Sequence, residues 1–135
     1  MLVYAIEIFA IVNLAAVGAS HLLRPQSWVE FYSWLRGHGQ AGVFAIALPP
    51  LSFGSLIAAF HPIWTGIPAV LTILGWAQVV KALLYLLFPE YALRKLALVT
   101  RERGWYFMAA GAVLLALAAL LAFHLALLTS PPVAA

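Results

Sequence analysis

The chain has 135 residues, enough for one domain. Apolar residues make up 66% of it and charged residues 8%, against roughly 45–50% and about 25% in an ordinary globular domain, a surplus of apolar surface that excludes a water-solvated fold. Cysteine is absent, which excludes disulfides, thiolate metal sites, iron–sulfur clusters and thiol redox chemistry.

Four apolar stretches, at residues 2–23, 41–60, 63–88 and 106–129, each approach the ~20 residues that cross ~30 Å of hydrocarbon. Helix is the expected form, because an open sheet edge leaves backbone groups unpaired in lipid. None of the stretches alternates apolar and polar residues as a barrel strand does. The expected fold is all-α: an integral membrane four-helix bundle in a single domain, 1–135, with two short interfacial helices on the cytoplasmic side.

The first stretch carries Glu7 about a turn and a half from its start. A carboxyl group at the centre of a membrane costs ~2.5 kcal/mol or more and is a functional-site hypothesis by default. The plainer reading is a Glu that snorkels to the outer interface. His21 lies about four turns further on, with Gly18 on the same stripe, and that face is expected to point into the bundle. Asn13 is expected to bond to a neighbouring helix. Val17-Gly18-Ala19 has the small residues of a cleavage site, but the segment before it lacks the positive charge of a signal peptide.

The first connection, from Pro25 to Arg36, is itself helical in pattern. Ser27 and Glu30 have the spacing of a capping box. Trp28, Phe31, Tyr32 and Leu35 share one face. These predict an interfacial helix over residues 27–36, aromatic side toward lipid, ended by Gly37-His38-Gly39.

In the second stretch Pro49-Pro50 interrupts the helix, either kinking it or freeing carbonyls toward a cavity. His61 sits at the turn that follows. The third stretch is longer than a crossing requires and is expected to tilt or run into the interface. Pro68 lies early in it, and Lys81, with Gln78 and Tyr85, lies opposite the stripe of Pro68, Thr72, Gly75 and Trp76. Near the inner interface Lys81 is read as a snorkelling side chain.

Pro89 then opens a second interfacial helix, over residues 90–100, with Leu93, Leu96 and Ala97 beside Arg94 and Lys95. Leu86-Leu87-Phe88-Pro89 repeats the layout of Leu22-Leu23-Arg24-Pro25, as in a parallel repeat about the membrane normal. The fourth stretch has small residues at Ala109, Ala112, Ala116 and Ala119. That seam admits a second helix, from the same bundle or from a partner.

All seven basic residues fall around two connections: Arg24 and Arg36 at the first, Lys81, Arg94, Lys95, Arg101 and Arg103 at the third. By the positive-inside rule these are cytoplasmic, and both termini and the central hairpin are outside. That topology brings Glu7 and His124 to similar depth, with His61 at the same end. The three are a candidate proton relay or zinc site; the bland alternative is separate interfacial residues. A bis-histidine haem has only His61 with His124 available, and His61 precedes a proline at a helix end. The expectation is no cofactor and no resident metal, with Glu7, His61, His124 and His21 as the candidate polar site.

Gly18-x-x-His21-Leu22-x-x-Pro25-x-x-Trp28, His61-x-x-Trp64, Thr72-x-x-Gly75-Trp76 and Lys81 resemble small four-helix bacterial membrane proteins of uncharacterised function, loosely grouped as DoxX-like. The resemblance spans residues 18–89 and implies a bacterial inner-membrane protein without assigning an activity. Small multidrug transporters share the chain length, the four helices and an acidic residue in the first helix, but not the long helical connections. The expected function is an accessory or scaffold subunit acting through partner membrane proteins, or as a homo-oligomer, by way of the alanine face. The alternative is a small proton-coupled transporter using Glu7. An enzyme ranks last, because the chain has neither a carboxylate pair nor a Ser/His/Asp set in sensible geometry. The pattern of charge suggests a lipid bilayer, not nucleic acid, as the surrounding partner.

Overall fold

The computed structural model describes residues 1–130. Among these residues six α-helices follow one another: α1 (Leu2–Leu23), α2 (Pro25–Gly37), α3 (Gly39–Phe60), α4 (Pro68–Leu87), α5 (Pro89–Leu96) and α6 (Trp105–Thr129), with a 3-10 turn at Arg101–Arg103 before the last. There is no strand among the described residues. α1, α3, α4 and α6 are long and apolar enough to cross a membrane.

Proline sets the corners. The residue before a proline is pushed out of the helical region, while proline itself suits the first helical position. Arg24 (φ −132°, ψ 50°) therefore ends α1 and Pro25 starts α2. Phe88 (φ −130°, ψ 67°) ends α4 and Pro89 starts α5 in the same way. His61 (φ −130°, ψ 65°) before Pro62 ends α3.

α1 packs chiefly on α6, and α3 on α4. Exchanging α1 for α4 and α3 for α6 turns one pair into the other, so the two halves share a layout. Each pair closes glycine on glycine. A Cβ on Gly111 would lie 2.6 Å from the Gly18 carbonyl, and one on Gly54 2.6 Å from the Gly75 carbonyl. Small residues are what let helix backbones approach this closely. The central core joins Ile6, Ala10 and Leu14 of α1 to Ile57, Leu71, Ala118 and Leu121. A second core, Leu35, Val43, Ile46, Ala92 and Leu96, seats α2 and α5 on the end of the bundle. Large apolar side chains cover the outside, among them Ile8, Val12, Leu48, Ile73, Val80 and Phe123.

Several expectations are corrected. The helix expected over 63–88 starts at Pro68; the chain between His61 and Ile67 is a turn with Gly66 at φ +67°, a conformation glycine adopts without a Cβ clash. α5 stops at Leu96, four residues short of the expected end. α3 runs unbroken through Pro49 and Pro50. Asn13 donates to Phe9 O of its own helix at 2.9 Å, not to a neighbour. Ser27 caps nothing: Arg24 is the cap residue of α2, and Glu30 instead accepts from Arg101 Nη2 at 3.2 Å.

The aromatic face of α2 also turns the other way from that expected. Leu35 is buried. Trp28 donates its indole N–H to Ser20 Oγ at 2.9 Å and lies 4.1 Å, ring to ring, from His21. Tyr32 lies 5.5 Å from Phe107. Only Phe31 of that face is largely exposed, together with Trp34 beside it.

Candidate functional site

Polar side chains gather at both ends of the bundle. Along its length α1 presents a stripe of buried residues, Glu7, Ala10, Leu14, Gly18 and His21, at the three- and four-residue spacing that puts them on one side of a helix, with Glu7 at the end that carries the N-terminus. Glu7 is 4% exposed and His61 fully buried. His61 arrives from the end of α3, where the proline after it turns the chain inward. Thr72, fully buried in the second turn of α4, completes the group.

The three side chains form a chain of hydrogen bonds. Thr72 Oγ1 lies 2.8 Å from His61 O and 2.7 Å from Ile63 O. Its single proton serves those carbonyls, so toward the imidazole Thr72 acts as acceptor. His61 Nδ1, 2.9 Å from Thr72 Oγ1, must then carry a hydrogen. The remaining gap, His61 Nε2 to Glu7 Oε1, is 3.2 Å. Two lone pairs would repel there, so it holds one proton, either on the carboxyl or on the imidazole. The pair as a whole is neutral in both arrangements, which is how a carboxyl group is accommodated in the protein interior.

His124 does not join the group: it is half-buried on α6, and the partner of Glu7 is His61. Glu7 is buried in the protein, not exposed at its surface. Both ring nitrogens of His61 are engaged, which leaves no lone pair for zinc or haem iron. Among the described residues no group of three or more His, Cys, Asp or Glu side chains is placed to hold a metal ion.

At the other end His21 makes a separate site. Its Nδ1 lies 2.9 Å from Val17 O, and because a carbonyl only accepts, Nδ1 carries the hydrogen; among the described residues Nε2 has no hydrogen-bond partner. The ring lies against both Trp28 and Phe107, at 4.1 and 5.3 Å, and those two rings also lie against each other, at 6.5 Å. It lines a cavity of about 540 Å³, together with Tyr32, Lys81, Tyr85, Lys95 and Arg103. Burial first, and the neighbouring Tyr85 second, push the Tyr32 phenol up, so it remains a protonated donor. Lys81 stands 5.8 Å from the Tyr85 ring and Lys95 5.5 Å from the Tyr91 ring, both within cation–π reach.

No family model, curated protein or solved structure matches the chain. Of the four residues read as one candidate site, the structure joins Glu7 to His61 and sets His21 and His124 apart. Sequence reasoning missed Thr72 as a member; the signal was a hydroxyl inside an apolar span, on the stripe of small residues that packs inward. It also read Lys81 as a snorkelling side chain, because no spacing in the sequence joins Lys81 to His21, Lys95 and Arg103.

Proposed function

We propose that the protein is an accessory subunit of a membrane complex, seated in the bacterial cytoplasmic membrane with its basic end inside and both termini outside. A transmembrane helix of a partner protein packs on the outer face of α6. The observation that carries this reading is the position of the alanines. Ala109, Ala112, Ala116 and Ala119 are all exposed. At about 100° per residue they lie on the side of α6 opposite Gly111, Ala118 and Leu121, which are buried in the bundle. Exposed Trp105 and Phe123 bracket them on the same face. A strip with bulky ends and a small centre gives little side-chain surface to acyl chains and is a close-fitting seat for a helix, because association in lipid rests on close packing.

The placement in the membrane draws on the charge pattern and on α2 and α5. Both short helices cap the end that carries Arg24, Arg36, Arg94, Lys95, Arg101 and Arg103, with Phe31 and Trp34 exposed there. Positive charge marks a cytoplasmic side and aromatic residues mark an interface. The DoxX-like resemblance supports a bacterial membrane.

The absence of native cysteine gives a direct test. Ala112→Cys or Ala116→Cys, labelled at the thiol with a maleimide–benzophenone and illuminated in native membranes, is expected to cross-link to a different membrane protein, and Ile73→Cys, exposed on α4, is not. No product from either alanine position overturns the reading, and a cross-link between two copies replaces it with a homo-oligomer.

A small proton-coupled transporter is the competing reading, favoured by the one proton that Glu7 and His61 share. Their burial stands against it, and the 540 Å³ cavity lies at the other end of the bundle. Proton flux through liposomes that is abolished by Glu7→Gln supports transport; flux that the substitution leaves unchanged removes Glu7 as carrier.

A further inference from the structure

The cavity at the basic end has a composition that the accessory reading does not use. Lys81, Lys95 and Arg103 line it, and no carboxylate does. Among the described residues none of the three makes an ion pair. The acidic side chains are engaged or turned elsewhere: Glu7 with His61, Glu30 with Arg101, Glu90 with Gln40, and Glu102 exposed. Three like charges around one concavity repel each other, and an anion between them relieves that repulsion. The protonated Tyr32 phenol adds a hydrogen-bond donor suited to a phosphate or phosphate ester. Beside Tyr85 and Tyr106, the rest of the lining is apolar, with Ile46, Leu96, Leu98, Val99 and Phe107 among it. Its size is that of a pocket for one small ligand.

We propose that this cavity is a binding site for an amphiphile with a phosphate head, and specifically for an anionic phospholipid of the inner leaflet. The head lies among Lys81, Lys95 and Arg103, and the first part of an acyl chain lies along Ile46, Leu96 and Phe107. A free phosphate ion shares the head chemistry but has no use for the apolar wall, which is why the lipid is the ligand assigned. Basic pockets between helices at the cytoplasmic boundary are the kind of site that holds anionic lipid heads. The cavity draws residues from all six helices and from the connection between α5 and α6, so an occupant bridges both halves of the bundle and stabilises the folded state by mass action.

The test uses the full chain in a neutral maltoside detergent, titrated separately with phosphatidylglycerol, phosphatidylcholine and inorganic phosphate. The readouts are the unfolding midpoint and native mass spectrometry. Phosphatidylglycerol is expected to raise the midpoint and to remain bound one to one; phosphatidylcholine and inorganic phosphate are expected to do neither. Lys81→Gln and Arg103→Gln are each expected to weaken phosphatidylglycerol binding by about tenfold or more, the scale of one charge-assisted hydrogen bond. Lys81→Arg is expected to retain binding, and so is Arg36→Gln, outside the cavity. Equal response to the two lipids overturns the proposal, as does binding that survives Lys81→Gln and Arg103→Gln together. A midpoint shift with inorganic phosphate as large as that with phosphatidylglycerol replaces the lipid with a soluble phosphate.

Discussion

At the scale of single residues, the decisive feature is a count of protons. Thr72 commits its hydroxyl hydrogen to backbone carbonyls, His61 commits Nδ1–H to Thr72, and one proton remains between Nε2 and Glu7. Glu7→Gln supplies an amide N–H to the same Nε2, so it is expected to cost less than about 1 kcal/mol. Glu7→Leu leaves a buried nitrogen without a partner and is expected to cost about 2 kcal/mol or more. Thermal unfolding in detergent distinguishes the two. An equal, large loss in both would mean that the pair is an imidazolium facing a carboxylate, which a glutamine cannot hold. Thr72→Val strips an acceptor from Nδ1 and a donor from His61 O and Ile63 O, with an expected loss of about 2–3 kcal/mol in the same assay. The value of Glu7 was legible in the sequence as an ionisable group in an apolar span. Its partner was not: His61 is fifty-four residues away and His124 had the same claim by depth.

At the scale of elements, glycine and proline carry most of the information. Proline corners at Pro25 and Pro89 act on the residue before them, so the ends of α1 and α4 follow from local sterics. The helix pairs depend on contacts that no local rule supplies. Gly111→Ala would place a methyl group 2.6 Å from Gly18 O and 2.8 Å from Leu22 N. Backbone atoms cannot swing aside, so α6 must move off α1, at an expected cost of about 1–3 kcal/mol. Gly37→Ala, with nothing within 4 Å, is expected to stay within about 0.5 kcal/mol of the parent. A comparison of the two unfolding midpoints checks this, and similar losses would show that α1 and α6 tolerate separation. The Glu30–Arg101 pair links α2 to the 3-10 turn, but its side chains are 64% and 75% exposed. Arg101→Gln is expected to change stability by less than about 1 kcal/mol, because water and salt screen such pairs. The failed capping box belongs here as well: Ser27 has the right spacing from Glu30, but Pro25 had already begun the helix two residues earlier.

At the scale of the whole molecule, the arrangement is a bundle with one charged end and an apolar outside. Trp64, 61% exposed in the turn between α3 and α4, and Arg101, at the basic end, sit on opposite sides of the proposed membrane. In intact cells Trp64→Cys is expected to react with a membrane-impermeant maleimide added outside, and Arg101→Cys only after the membrane is opened. The reverse pattern would invert the orientation. The shared layout of the two halves means that the same exchange relates the α1–α6 and α3–α4 pairs, but the contents differ. The polar triad joins α1 to α3 and α4 at one end, and the cavity lies at the other.

The sequence alone determined the four long apolar helices, the proline corners at Pro25 and Pro89 and the gathering of positive charge around two connections. Each of these depends on composition or on the few residues either side of a position, so a linear reading contains it. The tertiary structure decided which buried groups meet: His61 and not His124 beside Glu7, the aromatic face of α2 turned onto His21 and Phe107, and three cations around one cavity. Those outcomes depend on how each helix is rotated about its axis and which neighbour it packs against. In an apolar span nearly every face is equally greasy, so hydrophobic periodicity does not specify that rotation, and glycine-on-glycine contacts between distant segments do.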